Sequence, residues 1–264
     1  MMIIVGTKIK NTGSILLYVL WILVVISLLS FKLSSASRVV MIKQVSEVSQ
    51  IKKDLQLNSA IKFATFKILK NDWKNIQFKQ NLNNQRITID IYNESGFISL
   101  YDLSSQSLEN VFESADFDSS SLNDLKNRTD SKKLHFNDFS ELTQFEGVSA
   151  ENVQHIIPYV SIYHQEGVNP AHSPENVLMK IKGVDQYRVK KLIDSSDMDE
   201  KREIRNEIVD ILRSKNVNMT EDENDYYRIH ISLDSRLYRV FVKLNRRSQD
   251  FVVVNIISPV DFEV

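Results

Sequence analysis

The chain has no cysteine among its 264 residues, and only five histidines, six glycines and four prolines. The absence of cysteine excludes a disulfide-based scaffold and any metal site built from thiolates. The histidines show no metal-ligand spacing, there is no serine or cysteine nucleophile motif, and no glycine-rich loop could cradle a phosphate. These absences argue against an enzyme.

The charges are nearly balanced, with 33 lysines and arginines against 34 aspartates and glutamates. Such a balance produces no field that would attract nucleic acid or an anionic membrane surface. Acidic residues cluster at 197–203 and 221–225 without the spacing of a calcium-binding loop, so helix starts and solvated loops explain them. His164 and His172 share a loop-rich segment and could bind a metal, but ordinary loop polarity is the commoner explanation.

One long apolar run stands near the start of the chain. Residues 15–31 contain no charged side chain, and after Tyr18 only Ser27 and Ser30 interrupt the apolar character. Residues 14–31 in a helix would span roughly 27 Å, which is just enough to cross the hydrocarbon core of a bilayer. A helix is the expected form because lipid offers no partner to an unpaired backbone group. We therefore predict a transmembrane helix at 14–31.

Two interpretations of this run differ in where the chain is processed. Small residues at 33–36 would suit cleavage of a secretory signal peptide after the run. Alternatively, a short leader containing Lys8 and Lys10 ends at Gly13, directly before the run. A basic leader, a terminal glycine and an uninterrupted apolar helix resemble the class III signal of type IV pilins and pseudopilins. That resemblance implies that a prepilin peptidase cuts between Gly13 and Ser14, methylates the new N-terminus at Ser14, and leaves the helix as membrane anchor and filament core.

Helical patterning continues beyond the run. No proline or glycine occurs between Ser14 and Lys70, and apolar residues recur mostly at spacings of three and four. We predict one continuous helix, half in lipid and half packed on a globular head; the alternative is an anchor followed by a separate surface helix. The apolar positions of the second half are Val45, Val48, Ile51, Leu55, Ile61, Ala64 and Ile68.

Strand patterns flank a helical middle. Apolar and polar residues alternate at 86–92, residues 93–96 have the composition of a turn, and 97–101 are predicted as the hairpin partner. The strand signal then disappears until three strands close the chain, at 227–233, 238–244 and 251–257. We predict an α+β fold, in which a long N-terminal helix packs on an antiparallel sheet and a large all-helical domain is inserted.

The helical middle contains recognisable helix starts. Ser149 and Asp185 are expected to cap two helices, and Ser173 followed by Pro174 and Glu175 is a strong start signal for a third. The predicted parts of the chain are a leader at 1–13, a transmembrane helix at 14–31, a head helix and first hairpin at 32–102, an inserted helical domain at 103–215 with two subdomains that meet near 160–170, and C-terminal antiparallel strands at 216–264.

Two segments of the middle have the form of helix-hairpin-helix motifs, at 142–153 and 177–189. In DNA-binding examples the hairpin is glycine–apolar–glycine, and its exposed N–H groups hold a phosphate. Here Ser149 in one copy and Asp185 in the other replace the second glycine, and a carboxylate would repel the phosphate. A structural use of the hairpins is our main interpretation. A membrane-anchored periplasmic DNA-binding receptor that uses them is the alternative function.

The order of these elements resembles type II secretion system protein K, the minor pseudopilin of the general secretion pathway protein K family. That family combines an uncharged pilin-like helix, a hairpin, an insertion of two SAM-like helical subdomains and terminal strands. Residues 168–178 are similar to its Asn-x-Asn-Thr-Ala-Pro segment, with His172 and Ser173 in place of Thr-Ala. Residues 94–100 resemble its Glu-x-Gly entry to the insertion, with Ser99 in place of Asn.

A missing charge adds to the resemblance. Most pilins carry glutamate at the fifth mature residue, where it pairs with a neighbour's N-terminal ammonium. Counted from Ser14, the fifth residue is Tyr18, and protein K is similarly the subunit that lacks this glutamate. A carboxylate in hydrocarbon costs several kcal/mol unless it is paired, so a subunit with no neighbour ahead of it has no use for one.

The resemblance implies a minor pseudopilin at the tip of the type II secretion pseudopilus, which initiates or caps filament assembly for protein export across the outer membrane. It implies a single-pass protein of the bacterial inner membrane with a cytoplasmic N-terminus and a periplasmic C-terminal domain. The implied partners are the I- and J-type minor pseudopilins and the prepilin peptidase, and no nucleic acid is expected. Heads of this family can bind calcium, but no motif here assigns the ligands.

Overall fold

The computed structural model describes residues 12–70, 78–82, 85–102, 105–130, 135–165, 167–215 and 217–257. Within these ranges, positions 12–16, 36, 39, 80–82, 85–86, 119, 122, 126 and 128–130 are described by their backbone alone. Most of the predicted leader, residues 1–11, lies outside the described residues. The chain divides into two compact units, Met1–Gln56 and Leu57–Val264.

Helix α1, Thr12–Leu69, is continuous, as the absence of proline and glycine after Ser14 predicts. Within the second unit, its Ala60, Ile61, Ala64 and Ile68 are buried against the sheet. The prediction that the second half of the helix packs on the sheet of the head is confirmed for the part that belongs to this unit, from Leu57 onward. The earlier members of the apolar stripe are exposed: Val45, Val48, Ile51 and Leu55.

The described strands are β1 (Phe78–Leu82), β2 (Gln85–Asn93), β3 (Ile98–Ser99), β4 (Val160–Ser161), β5 (Tyr226–Leu233), β6 (Arg236–Asn245) and β7 (Asp250–Ile257). Five of them form one antiparallel sheet in the order β1-β2-β5-β6-β7. The three closing strands lie within two residues of their predicted bounds. A two-residue turn joins β5 to β6, with left-handed backbone at Asp234 (φ 51°) and Ser235 (φ 63°), as tight hairpins require.

The first hairpin differs from the prediction. Strand β2 pairs with β1 on one side and with β5 on the other, and β3 instead pairs in parallel with β4. Every side chain from Phe97 to Leu100 is buried. A half-buried hairpin strand would instead expose one of its two faces to solvent. The assignment of 97–101 as the hairpin partner is therefore wrong, because these residues enter a second core.

Helices fill the chain between β2 and β5, which are neighbours in the sheet. They are α2 (Gln106–Glu113), α3 (Ser119–Asp130), α4 (Ala150–Ile156), α5 (Glu175–Leu178), α6 (Gln186–Asp194) and α7 (Met198–Ser214), with a 3-10 turn at Phe139–Gln144. Their buried side chains form one hydrophobic core with Phe241 of β6, while α1 and the opposite face of the sheet form another. The chain is thus an α+β fold with a helical insertion in its sheet; the predicted subdomain boundary at 160–170 stays a prediction.

Two of the three predicted helix caps are confirmed. The Ser149 hydroxyl accepts the N–H of Asn152 and Asp185 accepts that of Tyr187, at the starts of α4 and α6. Ser173 does not cap α5, because its hydroxyl donates to the Asn169 carbonyl oxygen at 2.9 Å and so closes the preceding loop. Residue 174 occupies the cap position instead, and it makes no side-chain hydrogen bond there.

Candidate functional site

The predicted N-terminal sites lie at the beginning of α1. Gly13 and Ser14 fall in its first turn, and cleavage between them with methylation at Ser14 stays a prediction. Tyr18, the position that lacks the pilin glutamate, is 70% exposed. The described side chains from Leu17 to Phe31 are all exposed, and this part of α1 is apolar enough, in a helix long enough, to cross a membrane. By length and composition it fits a single-pass anchor.

The two hairpins are integrated into the helical core. Gly147 and Gly183 adopt left-handed backbone (φ 78° and 95°) at their turns, as helix C-termini commonly require. Asp185 occupies the N-terminus of α6, where one oxygen accepts the N–H of Tyr187 at 2.9 Å and the other accepts from Arg188 at 2.7 Å. The carboxylate thus takes the position that a DNA phosphate would need, and the geometry gives no support to the DNA-binding alternative.

The histidines singled out in the sequence serve loop contacts. His164 Nε2 lies 3.0 Å from the Phe97 carbonyl oxygen, and His172 Nε2 lies 3.3 Å from a carboxylate oxygen of Glu223. In the part of the chain that the structure describes, no group of three His, Asp or Glu side chains could hold a metal ion. Calcium therefore stays an expectation from the family resemblance, without assigned ligands.

A buried ion pair joins the sheet to the helical insertion. Arg228 on β5 and Glu94, in the 3-10 turn that follows β2, are both fully buried. Their contact is bidentate: Nε donates to Oε1 at 2.7 Å and Nη2 to Oε2 at 3.1 Å. The attraction between two buried ions offsets the free-energy cost of removing them from water only when their geometry is good and further hydrogen bonds satisfy their remaining polar atoms.

Further contacts complete the surroundings of Arg228. Its Nη1 donates to the Ile157 carbonyl oxygen, and Nη2 donates to that of Val160 at 2.8 Å. The guanidinium carbon lies 3.6 Å from the centre of the Phe97 ring and 4.9 Å from that of Phe241, within the range of cation–π attraction. We call this set, with Glu94, the Arg228 junction. It ties β5 to the entry of the insertion, to the segment that follows α4 and to β4.

A second titratable group, the half-buried His230, lies on the same strand face. Burial first, and then the charges of Arg228 and Arg239, hold the pKa of His230 well below its usual value of 6.5. The His230 ring contacts the Tyr92 ring edge to face, with 5.1 Å between ring centres. A neutral imidazole here avoids adding a third cation to this face of the sheet.

The turn that holds Glu94 is itself tightly constrained. The Asn93 side-chain oxygen accepts the Ser95 N–H at 3.1 Å and the Asn224 N–H at 3.2 Å, which ties β2 to the segment before β5. A Cβ added at Gly96 would lie 2.3 Å from the carbonyl oxygen of His172. The glycine of the quoted Glu-x-Gly segment is therefore required by close backbone approach.

Reasoning from the sequence missed the Arg228 junction. Arg228 lies between the apolar residues Tyr227 and Ile229, and this alternation is typical of a strand with one solvated face. Glu94 stood in a quoted segment, but no local signal connects it with a residue 134 positions later. The sequence offered one signal of a buried charge: a strand face that carries charged residues, in a chain with a long insertion that could cover that face.

No protein-family model matches the chain, and no curated protein matches it either. Among solved structures, the chain is similar to one in the crystal structure of the GspK-GspI-GspJ complex from the enterotoxigenic Escherichia coli Type 2 Secretion System, with a TM-score of 0.50 and 12% sequence identity. The likeness covers 82% of this chain and 99% of that chain. At this identity it establishes the fold alone: the chain has a pseudopilin-like α+β fold.

Proposed function

We propose that the protein is a minor pseudopilin of type II secretion, of the protein K kind, which acts at the tip of the pseudopilus. The observation that carries this proposal is the combination of an exposed apolar helix with a sheet that a helical insertion interrupts. The fold likeness to a chain of a secretion-system complex, over nearly all of that chain, supports the same assignment. In this role the protein initiates or caps filament assembly for export across the outer membrane, and it catalyses no reaction.

The tip position is supported by Tyr18. A subunit within the shaft uses an acidic fifth residue to pair with the N-terminal ammonium of its neighbour, and such a pair in a low-dielectric core is much stronger than one on a surface. Tyr18 supplies no negative charge, whereas its amphipathic ring suits the membrane interface near the helix start. The N-terminal ammonium of this subunit can thus pair with another subunit's glutamate. The subunit itself offers no glutamate with which a further subunit could pair.

The proposed setting follows from the same role. Residues 14–31 anchor the chain in the bacterial inner membrane, with the N-terminus in the cytoplasm and the head in the periplasm. The I- and J-type minor pseudopilins are the proposed partners at the filament tip, and a prepilin peptidase is the proposed processing enzyme.

We expect processing between Gly13 and Ser14. Replacing Gly13 with Leu should leave the leader attached, because only glycine leaves room for close backbone approach at the cut site. Mass spectrometry of the mature protein should find N-methylated Ser14 in the wild type and an uncut leader in the variant. Gly6→Leu, which changes another leader glycine away from the cut, is the matched control and should be processed normally. A mature N-terminus beyond residue 33 would instead establish a signal peptide.

A further inference from the structure

Strand β7 forms an exposed apolar edge of the sheet. Within the described ranges only β6 pairs with it, and no described strand lies along its other edge. Side chains on both faces of this strand are exposed, and they are β-branched: Val252 (62%), Val253 (38%), Val254 (39%) and Ile256 (41%). Soluble proteins usually protect a free edge with charges, proline or covering segments, because such an edge invites pairing with another strand.

An aromatic cleft opens beside this edge. Its volume is about 410 Å³, and it lies between the helical insertion and the sheet, with Val254 in its wall together with Tyr101, Phe136, Tyr163 and Tyr226. Val254 is the extra residue of a β-bulge, since Phe241 pairs with Asn255 while Val242 pairs with Val253. The Tyr163 hydroxyl is buried and has no hydrogen-bond partner among the described groups. The cleft thus offers aromatic rings together with the polar side chains of His135, Asn137, His164 and Gln165.

Charges of both signs lie around this edge, with Lys243 and Arg247 beside it and Asp250 at the start of β7 itself. Lys243 of β6 lies opposite Val252, and its ammonium stands 5.0 Å from the Tyr226 ring centre. Arg247 is exposed in the turn between β6 and β7 and forms no ion pair among the described residues, whereas Lys243 contacts Tyr226 and lies near Asp225. The nearby Asp225 and Asp138 are already engaged, by Arg246 at 2.6 Å and by Asn255 at 2.6 Å respectively. A segment whose carboxylates stand beside Lys243 and Arg247, away from Asp250, would complement this edge.

We propose that the free edge of β7 accepts an extended segment of a partner pseudopilin, in which apolar side chains alternate with carboxylates. The segment adds a sixth strand to the sheet through main-chain hydrogen bonds, as in other cases of β-strand addition. An apolar or aromatic side chain of the segment enters the cleft beside Val254, and its carboxylates meet Lys243 and Arg247. This inference rests on the proposed function, because it takes the partner to be another minor pseudopilin.

The test uses the full chain in lipid nanodiscs with purified I- and J-type minor pseudopilins of the same secretion system. Val254→Lys places a charge on the edge and in the cleft, and we expect it to weaken the complex about tenfold or more. Lys243→Glu changes an exposed side chain, and it should weaken the complex and flatten its salt dependence; urea unfolding of the variant measures separately what the lost contact with Tyr226 costs in stability. Ile193→Lys on helix α6, a similarly exposed apolar residue (47%), is the matched control and should bind as the wild type does. Hydrogen exchange should show slower amides at 252–257 in the complex.

The outcomes separate the inference from the proposed function. Weaker binding of both edge variants together with protection of β7 supports strand addition. A wild-type complex that Val254→Lys and Lys243→Glu leave unchanged, with no protection of β7, overturns the inference and leaves the proposed function standing. A wild-type chain that binds neither partner overturns both.

Discussion

Replacing Arg228 with Met should destabilise the head by about 3–5 kcal/mol, the usual cost of breaking a buried ion pair by removing one partner. The variant leaves the Glu94 carboxylate fully buried with no cation beside it, and it frees the Ile157 and Val160 carbonyl oxygens of their donor. Methionine fills much of the space between the Phe97 and Phe241 rings, so the loss is mainly electrostatic. Urea unfolding of a fragment that begins at residue 35 measures it.

Two further variants isolate this cause. Arg228→Met combined with Glu94→Leu should recover most of the lost stability, because apolar replacement of both partners of a buried pair is often neutral. Arg246→Met, which breaks a pair at 2.6 Å with Asp225 between half-exposed side chains, should cost about 1 kcal/mol at most. If the double variant is no more stable than Arg228→Met, the carbonyl hydrogen bonds and ring contacts of Arg228, and not its pairing with Glu94, stabilise the junction.

Gly96→Ala should destabilise the head by about 3 kcal/mol, at the upper end of the usual cost of overpacking. The added methyl group would stand 2.3 Å from the carbonyl oxygen of His172 and 2.5 Å from its carbon. Both are backbone atoms, so no side-chain rotation relieves the contact. The loop before α5 or the turn that carries Glu94 must move, and either movement disturbs the Arg228 junction. The same urea unfolding gives the result.

Gly183→Ala is the comparison for Gly96→Ala. There the methyl group comes closest to the flexible Lys215 side chain, at 3.0 Å, and lies at an ordinary 3.8 Å from Leu212. The cost therefore comes from a left-handed backbone with φ 95°, about 1–2 kcal/mol. A loss of unfolding free energy below about 1 kcal/mol for Gly96→Ala would show that the His172 backbone moves aside easily. It would contradict the view that the close approach of the Gly96 and His172 backbones is rigid.

The fold class could be predicted because its main signals are local. The long helix follows from an uninterrupted apolar pattern, and the closing strands follow from the alternation of apolar residues. Their hairpin turn follows from Asp234 and Ser235. The caps at Ser149 and Asp185 were also predictable, since each cap depends on residues within three positions of it.

The missed elements depend on contacts between distant residues. Strand β1 has the sequence Phe-Lys-Gln-Asn-Leu, which shows no alternation, and it forms because it pairs with β2. Strand β3 pairs with β4, which lies about 60 residues later. The Arg228 junction needs the insertion to fold back over a charged strand face, and no periodicity in the sequence reports that. The sequence around Ser173 is typical of a helix cap, but its hydroxyl donates to the Asn169 carbonyl oxygen in the preceding loop instead.

We propose that the Arg228 junction matters for the proposed function because it holds the insertion in one orientation on the sheet. Bidentate hydrogen bonds from Arg228 to Glu94 and single bonds to two carbonyl oxygens hold the insertion on the sheet at a buried point. We therefore expect variants of the junction to reduce secretion even where the protein still accumulates in the membrane.

The most direct test of the tip assignment is the position of the protein on isolated pseudopili. Immunogold labelling of an epitope placed at the exposed Ser196, between α6 and α7 and away from the β7 edge, should mark filament ends and leave the shaft unlabelled. An epitope-tagged major pseudopilin in the same preparation should label the whole length. Gold particles against the present protein at regular intervals along the shaft would contradict the account.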